Sequence, residues 1–177
     1  VTTSISSLQN FALENMIYAN GNWHGMRSHA TDEQINTVQN SDMVQSYTLS
    51  HYIGYAEAVG CTNEGKPYIY LMGAGDNFTD LMPVHLISGR FPTKSSEILL
   101  PEHLSTNGSV CYQVGQTITL SIGDRFAGEE QLFQSDEFIG DNEESSREEL
   151  KIHHVSAYTV VGLYERPSFE NYSAQIG

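Results

Sequence analysis

Four short runs limit what this chain can become: Leu86-Ile87-Ser88-Gly89-Arg90-Phe91-Pro92, Ser96-Glu97-Ile98-Leu99-Leu100-Pro101, Tyr112-Gln113-Val114-Gly115-Gln116-Thr117-Ile118-Thr119-Leu120 and Tyr158-Thr159-Val160-Val161-Gly162-Leu163-Tyr164-Glu165. Each is rich in aliphatic or aromatic side chains, and each is punctuated by Gly or Pro. Runs of this length are strand-sized, which favours a strand-rich protein. No run approaches the roughly 20 apolar residues that cross a bilayer as a helix. The ten tyrosines fit the same strand-rich expectation, and 177 residues suffice for one domain or two small subdomains with a sizeable core.

Between these runs the helical signals are local. Ile5, Leu8, Phe11, Ala12, Met16 and Ala19 follow the 3.6-residue period of an amphipathic helix over residues 2–20, and Asn20-Gly21 supplies its stop. Residues 22–27 read as a short strand. Thr31-Asp32-Glu33-Gln34 has the N-cap and first-turn acids of a second helix, continued by Ile35 and Val38. Residues 43–59 read as a long or bent strand, residues 62–66 as a turn, and residues 67–72 as the return strand of a hairpin. A short helix is expected to begin at residues 76–80 and to end before Ser88-Gly89, with a strand at 97–100, a turn of helix from Pro101, one or two strands over 110–122, and a strand over 155–164 ended by Pro167. Residues 124–149, with Glu143-Glu144-Ser145-Ser146-Arg147-Glu148-Glu149 near their end, read as a solvated acidic loop. The pattern predicts an α+β fold, β-α-β-β-α-β first and a smaller β-rich part after it.

The charge narrows the partners. A formal net charge of −14 leaves no basic stripe for a phosphate backbone or an anionic lipid surface, so nucleic acid is excluded as a partner. Cationic peptides and metal ions held weakly in a diffuse field remain compatible, as does an acidic surface that only keeps the domain in solution. Cys61 and Cys111 have two readings, a pair permitted by an oxidising compartment or two small buried apolar side chains, and their spacing does not choose between them. The chain starts at Val1 without the n-region or h-region of a leader, as an excised domain or a processed chain does.

Catalytic and cofactor motifs are not found. His153-His154 face opposite sides of a strand, and His24 and His29 have the wrong parity for one strand face. No HExxH, CxxC, GxGxxG, Walker A or GxSxG pattern occurs, and Asp136-Glu137 with Asp141-Asn142-Glu143 lacks the spacing of an EF-hand loop. The expectation is a non-catalytic domain with no cofactor and no metal site.

Gly89-Arg90-Phe91-Pro92, Ser96-Glu97-Ile98, Val114-Gly115-Gln116 and the closing residues 158–165, in this order, resemble the extracytoplasmic domain of MacB/FtsX-type ABC-transporter permeases. Gly21-Asn22-Trp23-His24 is similar to a turn of Gram-positive members. The resemblance spans nearly the whole chain, except that residues 124–149 match no pattern of the family. It implies a stalk helix over residues 1–21, a porter-like α/β subdomain over 22–109, and a β-rich subdomain over 110–177 with its return strand toward the membrane. It further implies a place on the extracellular face of a bacterial cell membrane, a cytoplasmic ABC ATPase as partner, a possible second permease copy, and a peptide or lipid-linked substrate exported or a surface partner activated. The residues themselves ask for fold-holding roles. Gly89 suits a positive φ and Pro92 a fixed one, Glu97 can take backbone donors or pair with Arg90, and Gly115 lets a strand begin after a turn. The alternative function is an extracellular module that captures a cationic peptide through Glu143, Glu144, Glu148 and Glu149.

Overall fold

A computed structural model describes residues 2–140 and 147–167. The chain divides into two units.

The first unit gathers residues up to His51 with residues 73–84. Helix α1, Thr2–Asn20, closes where Gly21 takes φ 90° and its N–H donates to Ile17 O at 2.8 Å. Its apolar side chains are largely uncovered: Ile5, Leu8, Phe11 and Met16 are 54–68% exposed. Helix α2, Asp32–Gln39, begins with the signal its sequence carries. Thr31 Oγ1 accepts from Gln34 N while Gln34 Oε1 accepts from Thr31 N, a complete capping box. The short helix α3, Phe78–Leu81, buries Phe78. Residues 22–27 are not the strand their aromatic and apolar content suggested. Among the described residues no strand pairs with them, and Trp23 Nε1 instead donates to Asn20 O at 2.7 Å.

The second unit is built on a seven-stranded sheet. Its strands are β1 (Ser50–Glu57), β2 (Tyr68–Ala74), β3 (Leu86–Gly89), β4 (Glu97–Pro101), β5 (Thr117–Ala127), β6 (Glu130–Leu132) and β7 (Glu148–Tyr164), with the short helix α4 (Leu104–Gly108) after β4. The order is β2-β1-β5-β7-β3, with β4 also on β7 and β6 on β5. Pairing is antiparallel at β1–β5, β3–β7, β5–β6 and β5–β7, and parallel at β4–β7. The fold is therefore mixed α+β. The boundary expected at residues 109 and 110 falls inside this unit, where segments on both sides of it join one sheet.

Alternation along β5 explains the core. Ile118, Leu120 and Ile122 are buried while Thr117, Thr119 and Ser121 are exposed. The three pack with Ala56, Ile69, Leu71, Val160 and Leu100, and Leu104 of α4 joins them. Each such side chain contributes about 1.5–3 kcal/mol on burial, which is why a five-residue helix holds its place.

Two expectations about the second half change. The strand expected over 155–164 already begins at Glu148. The acidic segment 124–149, of which residues 141–146 lie outside the described residues, contains strands: β5 runs on to Ala127 and β6 follows. Its acids and its few apolar residues hid strands that exist because β5 and β7 pair with each other.

Candidate functional site

The four runs that carry the sequence reading converge on a short stretch of β7. Gly89 pairs with Gly162, Glu97 with Thr159, and Gly115 N donates to Val160 O at 2.8 Å. Gly89 sits at φ 80°, and a Cβ there would collide with Val161 O, so both the backbone and the space demand glycine. Arg90 and Glu97 form a two-pronged pair, Nη1 to Oε2 at 2.8 Å and Nη2 to Oε1 at 2.6 Å. Glu97 also accepts from Thr93 N at 2.8 Å, and these hydrogen bonds, with Arg90 the largest influence, hold its carboxyl at about 2. Pro92 lies in the exposed turn that the pair closes. Gly115 takes φ 93° with open space around it. Arg90 and Glu97 pair with each other, and Gly89 and Gly115 meet β7 through the backbone.

A second polar assembly was not foreseen from the sequence. Arg125 of β5 and Glu148 of β7 are fully buried, with Arg125 Nε donating to Glu148 Oε1 at 2.5 Å and Nη2 to Oε2 at 3.1 Å. The remaining guanidinium donors reach Phe133 O at 2.8 Å and Asp136 O at 3.1 Å, while Ile139 N donates to Glu148 Oε2 at 3.1 Å. The pair thus pins residues 133–139 onto the sheet. Burial opposes the charge on Arg125, but the hydrogen bonds and field of Glu148 outweigh it and hold its pKa above the ordinary arginine value. The guanidinium carbon also stands 5.2 Å from the Tyr55 ring centre and 5.9 Å from that of Tyr68.

Tyr55 connects this buried pair to the surface. Its ring lies 5.4 Å from Tyr70 and 5.9 Å from Tyr52, and Tyr52 stacks on Tyr70 at 6.0 Å with 28° between the ring planes. Tyr52 Oη donates to Asp124 Oδ1 at 2.5 Å, and His153 Nε2 is 3.9 Å from Asp124 Oδ2. Burial and then the Asp124 carboxylate raise the Tyr52 phenol, and burial raises Tyr70. Burial pushes Tyr55 up to about 12, with Arg125 pulling the other way. Phenols raised in this way stay protonated at neutral pH, the reverse of what a tyrosine nucleophile or base needs, and Tyr52 uses its proton to donate to Asp124.

The acidic residues singled out in the sequence do not share one setting. Glu143 and Glu144 lie outside the described residues. Glu148 is not part of an exposed loop but the buried partner of Arg125, while Glu149 is exposed and 3.4 Å from Lys151. Cys61 and Cys111 are both free thiols, with Cys111 exposed. His153 approaches Asp124 and His154 meets Ser156 Oγ at 2.6 Å, so the adjacent histidines have separate partners. Among the described residues no three or more His, Cys, Asp or Glu side chains gather to hold a metal ion, and no helix is long and apolar enough to cross a membrane. No local signal marked the pair. The alternation of Ile118, Leu120 and Ile122 puts Arg125 in step with the exposed Thr117, Thr119 and Ser121, and the register shift between Ile122 and Gly123 breaks that alternation before Arg125. No family model, no curated protein and no solved structure matches this chain.

Proposed function

We propose that the chain is a non-catalytic extracytoplasmic domain of a MacB/FtsX-type ABC-transporter permease. It relays ATP-driven movement of the membrane part to the export of a peptide or lipid-linked substrate, or to activation of a surface partner. The observation that carries this reading is α1. Its apolar row is exposed: Ile5, Leu8, Phe11 and Met16 are 54–68% exposed. A helix in which Leu8, Phe11 and Met16 are each more than 60% exposed forgoes the burial that normally stabilises an amphipathic helix. That suits a lever engaged with other membrane-proximal elements, the stalk of the resemblance, better than a packed wall of the domain. The Arg90–Glu97 pair and the convergence of β3, β4 and Gly115 on β7 support a stiff body on which such a lever could act.

The reading requires a cytoplasmic ABC ATPase beside the full-length gene product and membrane-spanning helices in that product. Deleting residues 2–20 from the full-length permease should abolish export while the sheet unit keeps its denaturation midpoint. Export that persists, or a sheet unit that unfolds, would show that α1 is not a coupler.

A further inference from the structure

We infer that Tyr52, Tyr70 and Asp124 form a surface site for a guanidinium group, specifically the side chain of an arginine in a basic peptide. The chain already solves this recognition problem inside itself. Arg125 is held by a carboxylate, Glu148, together with the rings of Tyr55 and Tyr68. Lys151 repeats the theme, 4.2 Å above the Phe126 ring and 3.4 Å from Glu149. One layer out from Arg125, the partly exposed Tyr52 and Asp124 and the half-buried Tyr70 repeat the combination. Tyr52 is 44% exposed and the Asp124 side chain 28%.

The geometry is prepared for a cation. The Tyr52–Asp124 hydrogen bond and the stack of Tyr52 on Tyr70 fix both rings relative to the carboxylate. Ring faces are electron-rich, and a carboxylate beside them accepts hydrogen bonds from the N–H groups of a forked guanidinium. Asp124 Oδ2 stands 3.9 Å from His153 Nε2, beyond a hydrogen bond, so its lone pairs are available to a ligand. The net charge of −14 draws basic peptides toward the whole surface, while the three side chains give one defined seat. This site is distinct from the acidic stretch at residues 143–149 and does not depend on the permease reading.

The test is a calorimetric titration of the whole chain with acetyl-Arg-Gly-Arg-amide, alongside the same peptide with citrulline, the neutral isostere of arginine, at both positions. The arginine peptide should bind and the citrulline peptide should not. Asp124→Asn should weaken binding about tenfold, the loss of one charge-assisted hydrogen bond. Tyr70→Leu should weaken it about threefold to fivefold, and Tyr70→Phe should leave it intact, because the ring face and not the hydroxyl makes the contact. Thermal melts of each variant establish that it is folded, and the aromatic NMR signals of Tyr52 and Tyr70 should shift on titration. Undiminished binding by Asp124→Asn, equal binding of the citrulline peptide, no measurable binding of the arginine peptide, or shifts confined to other residues would each overturn the assignment. Export assays on the permease read none of these quantities, so the two proposals stand or fall separately.

Discussion

Replacing Glu148 by Gln keeps the size of the side chain and removes only its charge. Arg125 would then remain a guanidinium with no exposed surface and no counter-ion. Breaking a buried ion pair from one side costs about 3–5 kcal/mol, a large part of the roughly 5–15 kcal/mol that holds a typical domain together. Removing both charges, in Arg125→Met with Glu148→Leu, should cost less than Glu148→Gln alone if the carbonyls it frees find water. Left buried, Phe133 O and Asp136 O would each cost about 1–3 kcal/mol, because Arg125 donates to both. Urea unfolding at neutral pH, followed by far-UV circular dichroism and by the fluorescence of tyrosines such as Tyr55 and Tyr68, reads these differences directly. A Glu148→Gln loss below about 1 kcal/mol would refute the claim that this pair is sealed from water.

Other outcomes follow from the same structure. Glu97, with its carboxyl held at about 2, adds stability that is fully present above the ordinary carboxyl range near 4.5 and disappears as pH falls through about 2. Stability measured between these pH values should therefore fall more steeply for the wild type than for Glu97→Gln, and equal slopes would reject the Arg90–Glu97 pair. Gly89→Ala should destabilise more than Gly115→Ala, since both have positive φ but only Gly89 faces backbone at contact distance. Gly115→Ala should cost about 1 kcal/mol or slightly more in the denaturation midpoint, and an equal loss at the two sites would contradict the packing at Gly89. Thr31→Ala should loosen α2 by about 1 kcal/mol, seen as faster amide exchange confined to its first turn. Thiol titration of the folded chain should find two reactive groups, Cys111 ahead of Cys61, and a single disulfide by mass would contradict the structure.

What could be read in the sequence was whatever short stretches specify by themselves. The α2 capping box, the turn at Gly89, the Arg90–Glu97 pair and the apolar run at the end of β7 all have causes within a few residues of their effects. The first half of β7 had no such cause. Residues 148–154 look solvated as text, and they form a strand because β5 offers them a ladder. Residues 22–27 show the converse, with suitable side chains but no pairing strand. Arg125 and Glu148 meet across 23 residues of chain, and Tyr52 and Asp124 across 72. Neither meeting has a local signature, which is why the assembly around Tyr55 emerged only with the sheet.

The eleven register pairs between β5 and β7 carry a mechanical consequence. Hydrogen bonds in an antiparallel ladder lie across the strands, so a tug along β7 loads them together in shear instead of opening them one by one. The shift in register between Ile122 and Gly123 acts as a detent, since sliding β7 past β5 would have to move that irregularity as well. Under tension along this strand the sheet should hold and then give way in a single event at high force, whereas a tug across it would unzip it gradually.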